Sequence, residues 1–420
     1  MKDWKDITHY AGFDWARDHH VVVIVDGRGE IVADFEFEHS LEGWKNFVEK
    51  TAPWPNLAVA IETNQGAAVD QLLQRDYTVY PVNPVAAESY RKRKAPSGTK
   101  TDHLDGWGLA DALRVDGRGW KALMPLDPLT QKLRLLCHDE VSLIQQRTLL
   151  VNQLQQALVE YYPSALEAFD DWTASFSWDF VIEFPTPQAL VKSGKRRWEK
   201  FLHAHKLWRP ETAERRQGIF AKADQFKASD PIVEAKSQLA VSLCKLLRTL
   251  DQQLEQYRQQ IERLFKDHPA HGLFGSLPGA KQVLAPRLLA GIGNDPERYG
   301  SHEGLQCLAG TAPVNYQSGQ VNKTHMRRAC DKFLRHTVHL WANSFRKASA
   351  WGQTYYEKKR AQGMSHASAL RCLGQRLLKI VFRMLRDKKP YDAELHALNQ
   401  KKHGSWVLAL VEKSTAKTSE

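Results

Sequence analysis

Residues 10–25, YAGFDWARDHHVVVIV, contain two apolar runs that predict consecutive β-strands, and the first run closes at Asp14. The next segment, GEIVADFEFEH, alternates partly between apolar and polar residues, as a third strand would. A helical pattern over 40–51 follows, with Ser40 as its N-cap, and two further strand-like runs come later, LAVAIET and TVYPVNP. Three successive strands, followed by alternating helices and strands, predict an α/β domain with a mixed sheet covered by helices.

Four carboxylates occupy positions suited to divalent cations. Asp14 and Glu62 close apolar runs, and Asp102 and Asp105 lie three residues apart at the start of a helix-like stretch, TDHLDGWGLADAL. Two acids at strand ends and two on one helical face can hold cations over one cleft. Such cations activate an oxygen nucleophile and stabilise charge on a transferring phosphate. Each acid alone is more often a loop residue or a helix cap, but all four in this order favour a metal site.

The chain is strongly basic, with a net charge of +11 and an isoelectric point of about 9.3. Clustered Lys and Arg neutralise phosphates, so they predict nucleic-acid binding, although any single cluster can be an ordinary solvated face. The run at 91–94 is expected to form a phosphate-facing loop just before the helical pair of acids. The predicted nucleic-acid contacts are Arg91, Lys92, Arg93, Lys94, Lys100, Lys195, Arg196, Arg197, Lys323, Arg327, Arg328, Lys332 and Arg335.

Several protein classes are disfavoured by what the sequence lacks. No apolar run approaches the ~20 residues that a membrane helix needs, and the first residues lack the apolar core of a secretory signal. The five cysteines are scattered and form no CxxC pair, which argues against a disulfide framework and a zinc finger. There is no GxxxxGK[ST] phosphate-binding loop, so ATP is not expected as a cofactor. These features predict a cytoplasmic protein.

The pattern divides the chain into four segments. Residues 1–125 form the α/β domain. Residues 126–268 are helical and contain two long amphipathic helices, over about 128–169 and 232–265, which predict an antiparallel coiled-coil stalk. The heptad stripe of the first helix is Leu129, Leu136, Leu143 and Leu150, widened by Ile144, Val151, Leu154 and Leu158. Residues 269–392 are mostly helical and begin with LFGSLPGAKQVLAPRLLAGIGN, which has the pattern of a helix-hairpin-helix. Residues 393–420 are a C-terminal extension, partly disordered.

Ser318 lies in the sequence QSGQ, within a segment expected to be a loop or hairpin. A lone Ser-Gly pair is ordinary turn chemistry. It is not a GxSxG nucleophile elbow either, because Tyr316 stands two residues before the serine. The residues themselves therefore leave a nucleophilic serine and a structural turn both open, and favour the turn.

The whole chain resembles the insertion-sequence one-ten (IS110) family of transposases, which includes the Piv-type DNA invertases. GFDWA with Asp14, AIET with Glu62, and TDHLD with Asp102 and Asp105 match the DEDD tetrad of the family in order and context. The stretch that begins SLPGAKQVLAPRLLAGIGNDPERYG and ends at Ser318 is similar to the C-terminal signature of the family. The resemblance implies an N-terminal RuvC-like, RNase H-fold domain and a C-terminal transposase domain.

The same resemblance implies an RNA-guided DNA recombinase of a mobile element. The tetrad would bind Mg²⁺ or Mn²⁺ beside the scissile phosphate, and Ser318 would attack that phosphate to form a phosphoserine intermediate, without ATP. A noncoding bridge RNA would pair with donor and target double-stranded DNA. The protein would act as a homo-oligomer, a dimer that becomes a tetramer in the synaptic complex, with composite active sites. It would be a bacterial, nucleoid-associated protein with no membrane partner.

Two alternatives remain open from the sequence. The first is a RuvC-like nuclease or junction resolvase that uses metal-activated water, with Ser318 as a structural turn. The second is a noncatalytic nucleic-acid-binding protein whose acids are helix caps. The first would leave no protein–DNA adduct, and the second would show no dependence on metal.

Overall fold

The computed structural model describes residues 2–223 and 228–407. They belong to two compact units, one that ends at Leu126 and one that begins at Asp127. The first unit contains a five-stranded sheet with helices, and the second is mostly helical. The mixed α/β class with a helical C-terminal region is therefore confirmed, whereas the four-segment division of the chain stays a prediction.

The sheet of the first unit has both parallel and antiparallel strands, in the order β3-β2-β1-β4-β5. Strands β1, β2 and β3 form an antiparallel meander, and β4 and β5 add in parallel on the other side of β1. This mixed sheet is consistent with the expected RNase H-like domain. The strands are β1 His9–Trp15, β2 His19–Val25, β3 Ile31–Glu38, β4 Leu57–Ile61 and β5 Thr78–Pro81.

Helices cover both faces of this sheet. Strand residues such as Phe13 pack on one face against the first two helices, and Tyr10 packs on the other face near the last two. Because neighbouring strand residues point to opposite faces, a strand buried on both faces is apolar almost throughout, as 21–25 is. The helices are α1 Leu41–Thr51, α2 Ala67–Gln74, α3 Pro84–Lys94 and α4 Asp102–Asp116, with single 3₁₀ turns at Trp4–Asp6 and Gly117–Gly119.

The basic run at 91–94 is not a loop, and that expectation was wrong. It forms the last turn of α3, which begins with Asn83 as N-cap and Pro84 in the first turn. The Asn83 side chain accepts a hydrogen bond from the backbone N–H of Val85. Asn at the cap and Pro at the first helical position are strong start signals. The positive charges at the C-terminal end also favour the helix dipole.

Two long helices dominate the first part of the second unit, α5 (Pro128–Tyr161) and α12 (Asp230–Lys266). Ion pairs join Arg147 to Asp251 and Glu160 to Lys236, so the partner number falls as the first number rises. The two helices therefore run antiparallel, while supercoiling as a coiled coil stays a prediction. Between them lie α6 Pro163–Ala168, α7 Ser175–Glu183, α8 Pro187–Ser193, α9 Lys195–Ala204, α10 Pro210–Gln217 and α11 Ile219–Ala223.

The predicted stripe is buried in the C-terminal half of α5 but not at its N-terminal end. Val151, Leu154 and Leu158 are buried as expected, whereas Leu129 is exposed and Leu133, Cys137 and Glu140 are buried instead. The reason is that the N-terminal half of α5 packs on a third helix, which spans Lys281–Ile292, as well as on α12. Its Glu140 carboxylate accepts hydrogen bonds from Arg287 of that helix, and both side chains are buried.

The remaining elements form the C-terminal part of the second unit. The turn at Pro278-Gly279 joins two helices, as its sequence predicted, but it packs closely on a later helix. A Cβ atom at Gly279 would lie 2.7 Å from the carbonyl carbon of Ser344, so the glycine has a packing explanation. The elements are α13 His271–Gly275, α14 Lys281–Ile292, α15 His302–Leu308, β6 Val314–Ser318, β7 Val321–His325, α16 Lys332–Ala348, α17 Ala350–Ala361, α18 His366–Asp387 and α19 Ala393–Lys402, with a 3₁₀ turn at Pro296–Arg298.

Helix α19 lies within the segment that was expected to be partly disordered. The polar tail that carried most of that expectation, KSTAKTSE at residues 413–420, lies outside the described residues. Among the helices of residues 2–223 and 228–407, none combines the length and apolar character needed to span a bilayer.

Candidate active site

The sheet brings Asp14 and Glu62 to one edge. Strands β1 and β4 are parallel, and Phe13 pairs with Ile61, so the next residue on each strand is one of the two acids. Asp14 is the last residue but one of β1, and Glu62 directly follows β4. Because the carboxyl ends of parallel strands meet at the same edge of a sheet, both acids emerge together there.

Helix α4 delivers the other two acids to the same place. Asp102 and Asp105 lie in its first turn, after Thr101, whose hydroxyl accepts a hydrogen bond from Leu104 N–H. One carboxylate oxygen each from Asp14, Asp102 and Asp105 lies within 4.8 Å of the others. Glu62 falls outside this set of three, although its charge acts on Asp14.

Two glycines make this approach possible. A Cβ atom on Gly12 would lie 1.8 Å from the carbonyl oxygen of Gly106 and 2.7 Å from the amide nitrogen of Ala110. Any side chain at Gly12 would therefore push α4 away from β1. Gly12 precedes Asp14 by two positions and Gly106 follows Asp105 directly, so the closest contact between strand and helix lies beside the acids.

A histidine joins the first turn of α4 to strand β3. The two ring nitrogens of His103 lie 2.5 Å from a carboxylate oxygen of Asp34 and 3.1 Å from one of Glu36, both on β3. The hydrogen bond to Asp34 raises the pKa of His103 above its usual value, and the bond to Glu36 adds to this. These contacts tie the helix start, and with it Asp102, to the sheet.

The electrostatics of the cluster reflect crowded negative charge. The pKa of Asp14 is raised to about 6, first by burial and then by the nearby carboxylates of Asp105, Asp102 and Glu62. Burial also raises the pKa of Glu62, again with a contribution from Asp105. An acid whose ionised form is this disfavoured is held among like charges and away from water.

Two cations balance part of this charge. Arg91 Nη1 donates to Asp105 Oδ1 at 2.7 Å, and each side chain is only 12% exposed. Lys100 Nζ lies 3.8 Å from Asp105 Oδ2. Helix α3 can approach because α4 has a glycine at position 108, where a Cβ atom would lie 3.1 Å from the backbone nitrogen of Arg91.

The donor set fits a divalent cation. Four carboxylates stand against two basic side chains, which leaves two excess negative charges when all are ionised. Carboxylate oxygens are the ligands that Mg²⁺ and Mn²⁺ prefer. A cation bound by Asp14, Asp102 and Asp105 would relieve the repulsion that raises the pKa of Asp14.

Comparison with known proteins identifies the family. Residues 11–163 match the model of the DEDD transposase domain of IS110 elements, described as "Transposase", and residues 271–357 match "Transposase IS116/IS110/IS902 family". The chain belongs to the IS110 family of transposases. It is an insertion-sequence transposase, an enzyme of the family that cleaves and rejoins DNA.

Two of the relatives align along nearly the whole chain. The "Mini-circle putative transposase for IS117" of Streptomyces coelicolor is 29% identical over 406 residues, which is 93% of this chain and 97% of that protein. The "Insertion element IS116 uncharacterized 44.8 kDa protein" of Streptomyces clavuligerus is 26% identical over 90% of this chain and 95% of its own. The first family match contains the residues of the acid cluster, and the second contains Ser318.

The transposase presents Ser318 at the tip of a hairpin. Ser318 ends β6 and pairs with Val321 of β7, so Gly319 and Gln320 alone form the turn. Gly319 has φ +56°, a left-handed conformation that favours glycine. Every residue of both strands is exposed. The segment that was expected to be a loop or hairpin is thus a hairpin.

The predicted nucleic-acid contacts fall into two groups. Those of the first unit are engaged within the protein: Lys92 pairs with Glu88, Arg93 with Asp111, and Lys94 lies 4.3 Å from the centre of the Trp107 ring. Those of the second unit mainly lack such contacts with the residues that the structure describes. Lys195, Arg196, Lys323, Arg328 and Lys332 are exposed, Arg197 pairs with Glu183, Arg327 donates to the carbonyl of Ala312, and Arg335 is half-buried.

Sequence reasoning missed most of the residues that assemble the cluster. Gly12, Gly106 and Gly108 permit the close packing of strand and helices, and His103 holds the start of α4. Arg91 was predicted as a nucleic-acid contact, and the structure pairs it with Asp105. The sequence did contain a signal of this close packing, because the glycines stand near the acids in GFD and DGWG. Reading that signal requires the knowledge that α4 crosses β1 at these positions.

Proposed function

We propose that this transposase cuts and rejoins donor and target DNA under the guidance of a bridge RNA. Asp14, Glu62, Asp102 and Asp105 are the metal-binding acids, and Ser318 is the nucleophile that forms a phosphoserine intermediate. The observation that carries the proposal is the convergence of three of these acids within 4.8 Å, with burial and like charges that raise the pKa of Asp14. Such perturbed acids in one cluster are typical of functional sites.

Each residue has a distinct task in this proposal. When bound, Mg²⁺ or Mn²⁺ stabilises negative charge on a phosphate and on the oxygen that leaves it. Arg91 and His103 orient the acids, and Gly12 keeps α4 close enough for them to converge. The hydroxyl of Ser318 supplies the attacking oxygen, and the exposed hairpin lets it reach a DNA backbone. The ester formed keeps the energy of the phosphodiester, so rejoining needs no ATP.

The proposed partners are nucleic acids and further copies of the chain. The exposed basic residues of the second unit are proposed contacts for the RNA and for both DNA duplexes. The active assembly is a homo-oligomer, a dimer that becomes a tetramer when donor and target are paired.

The nucleophile is tested by trapping. Ser318→Ala should abolish cleavage and recombination, while DNA and RNA affinity stays within a few-fold of normal, because the hydroxyl supplies the covalent step and little binding. Ser318→Cys should keep at most a trace of activity. On a nicked duplex the unmodified protein should give an adduct that survives denaturation, with Ser318 in the modified peptide. If Ser318→Ala still cuts DNA, the water-using nuclease is the better account.

RNA guidance is tested independently. RNA that copurifies with the protein is sequenced, and one candidate guide loop is changed. The insertion site should move with that loop, because base pairing, not the protein, would select the duplex. Use of the same site with scrambled or absent RNA would overturn the guided mechanism while leaving the transposase chemistry intact.

A further inference from the structure

The two faces of the Ser318 hairpin differ in chemistry. Cross-strand partners in an antiparallel pair share a face, and successive residues alternate between faces. The register places Ser318 beside Val321 and Tyr316 beside Lys323, all on one face. The other face holds two pairs, Asn315 with Thr324 and Gln317 with Asn322. The charged side chain nearest the serine along the hairpin therefore lies on the face of the serine itself.

Lys323 is within reach of the Ser318 hydroxyl. The two residues are diagonal neighbours, since Lys323 lies two positions beyond Val321, the partner of Ser318. Diagonal residues on one face are separated by ~7–8 Å, which long side chains can bridge. The Tyr316 ring does not block this path, because it leans the other way, with its centre 6.2 Å from that of His325.

The ammonium group of Lys323 has no ion-pair partner among the residues that the structure describes. Its residue is exposed, and in the part of the chain that the structure describes no carboxylate forms an ion pair with it. Arg91, Lys92 and Arg93 differ, because each is paired with an acid. A free ammonium beside an exposed hydroxyl can bind the same anionic phosphate that the hydroxyl attacks.

We propose that Lys323 is a catalytic residue of the serine step. This inference rests on the proposed role of Ser318. As Ser318 Oγ forms its bond to phosphorus, the bond from phosphorus to the leaving sugar oxygen breaks. The hydroxyl proton passes to water, and the leaving oxygen takes up a proton from water. Lys323 transfers none: its ammonium donates hydrogen bonds to a non-bridging phosphate oxygen, where negative charge grows in the transition state.

The test moves the charge from one face to the other. The substrate is a nicked duplex made from the ends of the element that carries this gene, with the copurified RNA, and the readout is the rate of Ser318 adduct formation at saturating DNA. Lys323→Gln should slow this rate by ~10²-fold or more, the usual loss of one transition-state donor. Lys323→Arg should stay within tenfold of the unmodified protein.

The decisive variant combines Lys323→Gln with Thr324→Lys, which keeps the net charge but places it on the opposite face. It should be as slow as Lys323→Gln, and its DNA affinity and salt dependence should return to normal, because phosphate binding at large depends on charge number. Thr324→Lys alone should form the adduct at the normal rate, which shows that the hairpin tolerates the change.

The outcomes separate the two proposals. Recovery of the rate to within threefold in the double variant, or an undiminished rate in Lys323→Gln, would show that Lys323 supplies only general charge, and the inference would fail with Ser318 chemistry intact. Absence of any adduct in the unmodified protein would overturn the Ser318 mechanism itself, and this inference with it.

Discussion

The acid cluster and the serine hairpin are built in opposite ways. Asp14 and Asp105 converge because a strand and a helix pack so closely that only glycine fits between them, and paired side chains hold the acids in place. Ser318 lies on two strands whose residues are all exposed. An isolated two-stranded hairpin is marginal in water. The proposed metal site therefore relies on a rigid, preorganised frame, whereas the proposed nucleophile stands on an element that a DNA partner could reach directly.

The largest effect on DNA cleavage is expected from a change in the acid cluster. Asp105→Asn should eliminate DNA cleavage, as should EDTA, because the site loses a ligand or its cation. Thermal stability should change little, since the relief of like-charge repulsion is offset by the loss of the ion pair with Arg91. Cleavage of a labelled duplex and thermal unfolding are the measurements. Glu42→Gln, the same change at an exposed acid on α1, serves as control and should cleave normally. Full activity of Asp105→Asn or in EDTA would refute the metal site.

A methyl group should show how far the acids depend on packing. Gly12→Ala should lower the free energy of unfolding by ~3 kcal/mol, the upper end of ordinary overpacking costs, because its Cβ would lie 1.8 Å from the backbone of α4. Cleavage should fall with it, since α4 carries two of the acids. Chemical denaturation measures the first effect. Gly119→Ala is the matched control: nothing lies within 4 Å of its Cβ position, so a change beyond ~0.5 kcal/mol there would undermine the comparison.

Arg91 sharpens the distinction between a cation paired with the acid cluster and a cation paired elsewhere. Arg91→Ala should weaken Mn²⁺ affinity and cleavage by ~10–100-fold, as loss of a partner that orients a metal ligand usually does. Arg91→Lys should recover only part, because an ammonium keeps the charge without the planar geometry. Calorimetric Mn²⁺ titration provides a readout apart from activity. Lys92→Ala, whose partner Glu88 is exposed on the same helix, should leave Mn²⁺ affinity unchanged. Equal effects of the two would mean that general charge suffices.

The smallest effect is a pH dependence of stability. In the absence of a cation, the pKa of Asp14 is raised from 3.8 to about 6 in the folded protein. The folded state therefore holds a proton that the unfolded chain has released, and the associated stability is lost as pH rises from about 4 through about 6. In EDTA, the melting temperature of the first unit should drop by ~2–4 °C more between pH 5 and pH 7 than that of Asp14→Asn. Mg²⁺ should restore it at pH 7. Parallel pH profiles for the two proteins would contradict this electrostatic account.

The sequence predicted secondary structure correctly where interactions between neighbouring residues determine it. The strand at 21–25 is a continuous β-branched run, and Ser40 caps α1 by accepting a hydrogen bond from Gly43 N–H, as its position indicated. Helix α12 runs from Asp230 to Lys266, close to the expected bounds. The run at 91–94 is helical because Asn83 caps α3 and Pro84 begins it, and these start signals lie a full two turns before the charges.

The sequence predicts which elements are helices better than which residues of a helix are buried. The heptad count on α5 favoured the stripe that includes Leu129, yet Leu133 and Cys137 are buried because α14 packs on the same stretch as α12. A repeat of seven records where apolar residues lie on one helix, but the buried face depends on every helix that covers it. The same limit hid the ion pair between Glu140 and Arg287, two residues 147 positions apart.

The sequence by itself determined the α/β and helical character of the two regions, the order of the four acids and the family resemblance, because periodicity and spelling are properties of neighbouring residues. Only the tertiary structure decided that Asp14, Asp102 and Asp105 converge, that Arg91 is bound to Asp105, and that Ser318 shares a face with Lys323. These facts join distant parts of the chain or depend on strand register, and both are set by packing and hydrogen bonding across elements.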